Sequence, residues 1–245
     1  SDETLEILER DAASIIIEAS NDLKLGNVAI EASTTGTIAA GDVTLFSHFR
    51  DIALFNTNVS STTSGEDADA GSINVGDAFD SFGDVVATSQ NVYLTGGTTI
   101  RASSSGQGAA GNVGIHSQKL IYSNNGGGSE RVILSSQSTT TGGAAGSVNI
   151  ESEAINLKGT KISAENAGAD SGLETAVKVT ATDGNLSFED SIVAANTSGV
   201  SPAGNIELYG AEVYLKDTAV LSATTNEGDA GNINIEGEAV VLTGV

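Results

Sequence analysis

The 245 residues carry 10 Lys plus Arg against 32 Asp plus Glu, a formal charge of −22, with 30 Gly, one Pro and no Cys, Met or Trp. With 39% hydrophobic and 17% charged residues, the composition is that of a folding chain rather than a disordered polyanion. The acidity argues against nucleic acid and anionic lipid as partners, the absence of Cys removes disulfides and thiolate chemistry, and no apolar run reaches the roughly 20 residues of a bilayer span.

The chain opens at Ser1 with no Met and no charged-then-apolar leader, which reads as a chain whose signal was removed or as a segment of something larger. Thr4-Leu5-Glu6-Ile7-Leu8 alternates apolar and polar residues and predicts a short strand. From there one phrase recurs, Ala-Gly-(Asn/Ser/Asp)-(Ile/Val)-x-(apolar), beginning at Ala40, Ala70, Ala110, Ala145, Ala203 and Ala230, with Leu25-Gly26-Asn27-Val28 as a weaker relative. The spacings are 30, 40, 35, 58 and 27 residues, and the longest holds a copy at Thr175-Ala176-Val177 that has lost its glycine. The first apolar anchors are then Ile15, Val43, Ile73, Val113, Val148, Val177, Ile206 and Ile233, eight units of about 30 residues.

Each unit contains three short segments of period two, the spacing that sends alternate side chains to opposite faces of a strand. The clearest reads Val148-Asn149-Ile150, Ile155-Asn156-Leu157, then Lys161-Ile162-Ser163-Ala164. Between the second and third segments sits a polar corner of Gly or Asp followed by Thr or Ser: Gly97-Thr98, Gly159-Thr160, Asp190-Ser191 and Asp217-Thr218. The third corner is read as a Gly/Ser/Thr loop that absorbs most of the length variation, so that loops project from one side. Its Thr-Thr pairs, Thr34-Thr35, Thr62-Thr63 and Thr224-Thr225, are read as hydrophilic loop residues.

Three short strands cannot bury their apolar faces alone, whereas stacked units can. The expectation is an all-β, single-chain, right-handed parallel β-helix of about eight three-strand rungs, each roughly 4.8 Å thick, with helix nearly absent. Residues 1–25 form an N-terminal edge or first rung and 26–245 the repeats, ending mid-rung. Columns of Val43, Ile73, Val113 and of Leu45, Val75, Ile115 with their successors fill the core. Asn27, Asp42, Ser72, Asn112, Ser147, Asn205 and Asn232 line one corner as a ladder of side chains bonded to each other.

Catalytic constellations are sparse. His48 and His116 share no short spacing and belong to no nucleophile elbow or zinc motif, and Phe46-Ser47-His48-Phe49-Arg50 reads as a cluster plugging a rung edge. Hard-cation candidates are the carboxylates Glu66, Asp67 and Asp69, and Asp77, Asp80 and Asp84, as structural calcium ligands; the alternative is a solvated acidic loop. No catalytic residue and no organic cofactor is expected.

The cadence Leu157-Lys158-Gly159-Thr160-Lys161-Ile162-Ser163-Ala164, and Leu215-Lys216-Asp217-Thr218-Ala219-Val220-Leu221-Ser222-Ala223 followed by Gly228-Asp229-Ala230-Gly231-Asn232-Ile233, resembles filamentous-haemagglutinin-like exoproteins. Those are large bacterial proteins exported by two-partner secretion. The resemblance covers residues 26–245 and implies a secreted or cell-surface rod acting in adhesion, aggregation or matrix building, with cell surfaces or glycans as partners. The family's secretion domain is not recognisable in this chain. A polysaccharide-active lyase or hydrolase is the alternative. The closing run Val240-Val241-Leu242-Thr243-Gly244-Val245 supplies two strands of a three-strand rung, which Leu5, Ile7 and Leu8 of another copy would complete, giving head-to-tail filaments.

Overall fold

The computed structural model describes residues 13–79, 83–126, 130–140, 143–167, 175–225 and 228–245. The strand proposed at Leu5, Ile7 and Leu8 lies outside them. The chain runs turn by turn: β1 Ile15–Ala19, β2 Leu23–Gly26, β3 Ala29–Thr34; β4 Val43–Ser47, β5 Ile52–Phe55, β6 Asn58–Thr63; β7 Ile73–Val75, β8 Asp77–Phe79, β9 Val85–Thr88, β10 Asn91–Thr95, β11 Thr99–Ser104. It continues with β12 Val113–His116, β13 Leu120–Asn124, β14 Val132–Ser138; β15 Val148–Ser152, β16 Ala154–Lys158, β17 Thr160–Asn166; β18 Thr175–Ala181, β19 Leu186–Glu189, β20 Ile192–Thr197; β21 Asn205–Tyr209, β22 Glu212–Lys216, β23 Ala219–Thr224; β24 Ile233–Glu236 and β25 Ala239–Thr243.

Like pairs with like. The first sheet is β1-β4-β7-β12-β15-β18-β21-β24, the second β2-β5-β10-β13-β16-β19-β22-β25, and the third β3-β6-β11-β14-β17-β20-β23, every neighbouring pair parallel. Among the described residues this is a parallel β-solenoid of seven complete three-strand turns plus two strands of an eighth. Residues 15–26 belong to the same sheets, with Ile15 paired to Val43 and Leu23 to Ile52.

The expected core columns are in register. Val43, Ile73, Val113, Val148 and Val177 stack in one column and Leu45, Val75, Ile115, Ile150 and Val179 in the next, all 0–1% exposed. β-Branched residues favour the strand at these positions because their restricted side chains pack well on a pleated surface. Each buried aliphatic contributes about 1.5–3 kcal/mol relative to exposure.

The Ala-Gly phrase has a steric cause. Four of these glycines lie directly over the carbonyl of the equivalent glycine one turn back: a β-carbon on Gly71, Gly111, Gly146 or Gly231 would stand 2.1–2.4 Å from that oxygen. The alanine before it is buried in every copy except the last, Ala230. Where the glycine is missing, at Ala176, the pairing of β18 with β21 slips by one residue between Thr175 and Val177. The glycine-less copy keeps its place in the stack through a bulge.

The second corner also has one solution repeated. Asn27, Asn56, Gly96, Gly126, Gly159, Asp190 and Asp217 all have φ between 45° and 69°, the left-handed region that Gly, Asn and Asp tolerate best. The residue entering the third sheet is then a buried hydroxyl in Thr57, Thr98, Thr160, Ser191 and Thr218, folded back onto nearby main-chain carbonyls such as those of Leu25, Thr95, Leu157 and Lys216.

Length variation sits elsewhere than expected. The third corner holds between seven and nine residues in every turn, so it does not absorb the variation. The extra length lies in the β8–β9 segment at the first corner of the third turn and in residues 125–131 at the second corner of the fourth. Close stacking explains this constancy, because a β-carbon on Gly65, Gly106 or Gly143 would meet the carbonyl of the turn below at 1.5–2.0 Å. The paired threonines also depart from expectation: Thr34, Thr62, Thr63 and Thr224 lie in β3, β6 and β23 rather than in loops.

Candidate functional site

At the corner of the expected ladder, four bonds join successive turns. Ser72 N–H donates to Asp42 Oδ1 at 2.7 Å, Asn112 N–H to Ser72 Oγ at 3.1 Å, Ser147 N–H to Asn112 Oδ1 at 2.8 Å and Asn232 N–H to Asn205 Oδ1 at 2.7 Å. The ladder therefore ties each side chain mainly to the main chain of the next turn; a side-chain bond is added between Ser147 and Asn112 at 3.1 Å. Asn27 is not part of it. Its left-handed backbone places it at the second corner, where Asn56 Nδ2 donates to its Oδ1 at 3.3 Å and Gly97 N–H donates to Asn56 Oδ1 at 2.9 Å.

The calcium candidates among the described residues do not converge. Among the described residues no three Asp, Glu or His side chains form a group able to hold a metal ion. Asp69 Oδ1 is taken by the Ala109 N–H of the next turn at 2.7 Å, and Asp77 is committed to Thr88 and His116. Glu66, Asp67 and Asp84 are exposed, and Asp80 lies outside the described residues.

The densest polar cluster joins Asp77 to His116. The β8–β9 hairpin is inserted at the first corner and lies on the outer face of the first sheet. The Asp77 side chain is 4% exposed; its Oδ1 accepts the Thr88 hydroxyl at 2.7 Å and its Oδ2 accepts His116 Nδ1–H. His116 ends β12 with its side chain 27% exposed, and Asn149 Nδ2 on β15 lies 3.1 Å from its Nε2. Burial pulls the imidazole pKa down, but the Asp77 hydrogen bond and the charges of Asp77 and Glu151 outweigh it and hold it above the ordinary value. Asp77, Val85, Thr88, His116, Gln118 and Glu151 line an open groove of about 370 Å³.

The other histidine follows β4 at the first corner of the second turn. His48 lies edge-on to Phe46, ring centroids 4.6 Å apart, and pairs with Glu18 of the preceding turn. Phe46 points away from the core and is nonetheless 1% exposed, while Phe49 is largely in solvent. The pentapeptide thus forms a first-corner cluster, not a plug at a rung edge.

The remaining outer faces carry ladders flush with the coil. On the second sheet, Glu189 lies between Lys158 at 3.4 Å and Lys216 at 3.0 Å, and the hydrogen bonds from Lys216 and Lys158 hold its carboxyl below the usual carboxylate range. Tyr93 and Tyr122 sit on successive rungs with ring centroids 6.4 Å apart. Beside the third sheet an open groove of about 510 Å³ runs past Gln137, Glu165 and Asn196, which are in register on successive turns.

Sequence reasoning missed the Asp77–His116 pair because 39 residues separate the partners. The signal was present in the repeat: Val75 aligns with Ile115, which sets the start of the insertion beside His116. Compared with known proteins, the chain matches no family model, no curated protein and no solved structure.

Proposed function

We propose that this chain is the shaft of a secreted or cell-surface protein, a stiff non-enzymatic rod that acts in adhesion, aggregation or matrix building. The observation carrying this reading is the use made of the polar residues. Corner by corner, Asp, Asn, Ser and Thr side chains are bonded into a neighbouring turn, as a load-transmitting stack requires. The outer faces supply long, regular surfaces and shallow open grooves, and the resemblance of the repeat cadence to filamentous-haemagglutinin-like exoproteins points the same way. Cell surfaces, glycans and further copies of the chain are the partners this reading implies.

The test is retention of cells or arrayed glycans on immobilised protein, with electron microscopy and light scattering of the free protein. Saturable retention, or rods that grow with concentration, is the expected result. Monomers that hold neither cells nor glycans would overturn it. A polysaccharide-cleaving reading draws on one feature, the groove where Asp77, His116 and Glu151 meet. There the Asp77 carboxylate is buried and spent on Thr88 and His116, leaving it unpresented to a ligand. Incubation with acidic polysaccharides, with and without calcium, and absorbance of unsaturated products distinguishes the two.

A further inference from the structure

Among the described residues, β8 and β9 are the strands that join none of the three sheets. They form an antiparallel hairpin on a closed neck. Ser89 N–H donates to the Gly76 carbonyl at 2.7 Å, and Ser89 Oγ donates to the Ser47 carbonyl and accepts the Ser47 N–H, both at 3.0 Å. The corner is therefore complete without residues 77–88. Gly76, at φ 114°, turns the chain outward, and β8 comes to lie beside β4, the strand that carries the outward-pointing yet buried Phe46.

Among the described residues of this hairpin, apolar burial is weak. Phe79, Val85 and Val86 are about half exposed, and a two-stranded hairpin is marginal in water by itself. Its bonds to the coil include Asn74 Nδ2 to the Asp77 carbonyl at 2.8 Å, Gln118 Nε2 to the Thr88 carbonyl at 2.7 Å, and the Asp77–His116 pair. Of these bonds, that pair is the charged one.

We infer that the Asp77–His116 pair is a proton-operated latch: imidazolium at His116 holds the β8–β9 hairpin against the first sheet, and loss of that proton lets the hairpin lift about its Gly76–Ser89 neck and uncover Phe46. The charged groups facing His116 among the described residues are Asp77 from β8 and Glu151 from β15, both anionic. β9 contributes the uncharged Thr88, β7 the uncharged Asn74 and β15 also Asn149. With the imidazole neutral, a buried carboxylate faces only neutral donors, which is the costly arrangement for a desolvated charge.

Asn149 serves both states. Its Nδ2 sits at His116 Nε2 while its Oδ1 is buried without a partner. A half-turn of the amide sets Oδ1 there instead, where it accepts the second N–H of an imidazolium. Because the closed form raises the pKa of His116, closure takes up a proton. The latch is at full strength below the ordinary imidazole pKa and weakens as pH rises through the raised one.

The experiment is amide hydrogen exchange of residues 77–88 in the whole chain as a function of pH, corrected for chemical exchange, beside an NMR titration of the two imidazoles. The expected result is hairpin protection that falls by up to about tenfold per pH unit across the His116 titration and levels off above it, while β12 and β15 stay protected. His116→Gln should remove the pH dependence, and His48→Gln should leave it intact. Hairpin protection that ignores pH in the unmodified protein, or an unchanged pH response in His116→Gln, would overturn the latch.

Discussion

Gly111 lies so close over Gly71 that a β-carbon on Gly111 would stand 2.1 Å from the Gly71 carbonyl oxygen. Three residues on, Gly114 in the middle of β12 meets nothing nearer than Asn74 Oδ1 at 3.5 Å. The two glycines thus make opposite predictions. Gly111→Ala forces main chain against main chain and should cost about 3 kcal/mol. Gly114→Ala removes backbone entropy from the unfolded chain without a clash and should stabilise by about 0.5–1 kcal/mol. Denaturant midpoints followed by circular dichroism, at unchanged slope, check both.

The second corner gives a similar contrast at Asp217, whose φ is 49°. Asp217→Gly should leave stability within about 0.5 kcal/mol of the parent, whereas Asp217→Val places a β-branched side chain in the left-handed region and should lose about 1–2 kcal/mol. Equal effects of the two substitutions in thermal melts would show that the backbone there has room to relax.

Much of this architecture could be read from the residues. The alternation of Val148-Asn149-Ile150 and the recurrence of Ala-Gly fixed strand, inward face and period, because steric rules that act once per turn leave a mark once per turn. Asn27 was misplaced because Gly26-Asn27-Val28 imitates the Ala-Gly-Asn-Ile phrase, yet Gly26 ends β2 and Asn27 is a left-handed corner. The letters are shared; the register is not. The site of the extra residues was also hidden, since a repeat spacing of 40 states a total and not a corner. Asp77 read as one acid among several in a loop, and its partner became visible only when turns were laid side by side.

In the core, Ile150 is fully buried midway along the stack. Ile150→Ala should cost about 2–5 kcal/mol and Ile150→Val about 0.5–1.5 kcal/mol. In a solenoid each turn touches mainly its neighbours, so the damage should concentrate in adjacent turns. Hydrogen exchange should show loss of protection in β12, β15 and β18 before β4 or β22. A uniform loss along the whole chain would mean that the turns unfold as one unit.

Glu189 supplies an acid-side test. Its folded-state pKa is depressed by hydrogen bonds from Lys216 and Lys158, so its contribution is present above the unfolded carboxylate pKa and is lost as pH falls through the depressed one. All three groups are at the surface, and added salt should weaken the effect. Carboxyl carbon shifts should place the Glu189 titration below that of an ordinary glutamate at low salt and nearer to it in strong salt. Glu189→Gln should let the Lys216 ammonium, now held above its usual range by that same carboxylate, return toward it.

Divalent cations should have no specific effect on the fold. Asp69 spends Oδ1 on the Ala109 N–H, and Asp77 spends its two oxygens on Thr88 and His116, so a calcium ion would have to displace bonds already made. A surface with a formal charge of −22 nonetheless gathers any divalent ion non-specifically, and screening alone raises stability. The informative comparison is therefore calcium against magnesium at equal ionic strength, with chelator as the third arm. Thermal melts should coincide for the two ions and show no saturable calcium step. A selective calcium shift that follows RT ln(1 + [L]/Kd) would instead mark a site assembled by carboxylates beyond Asp69 and Asp77.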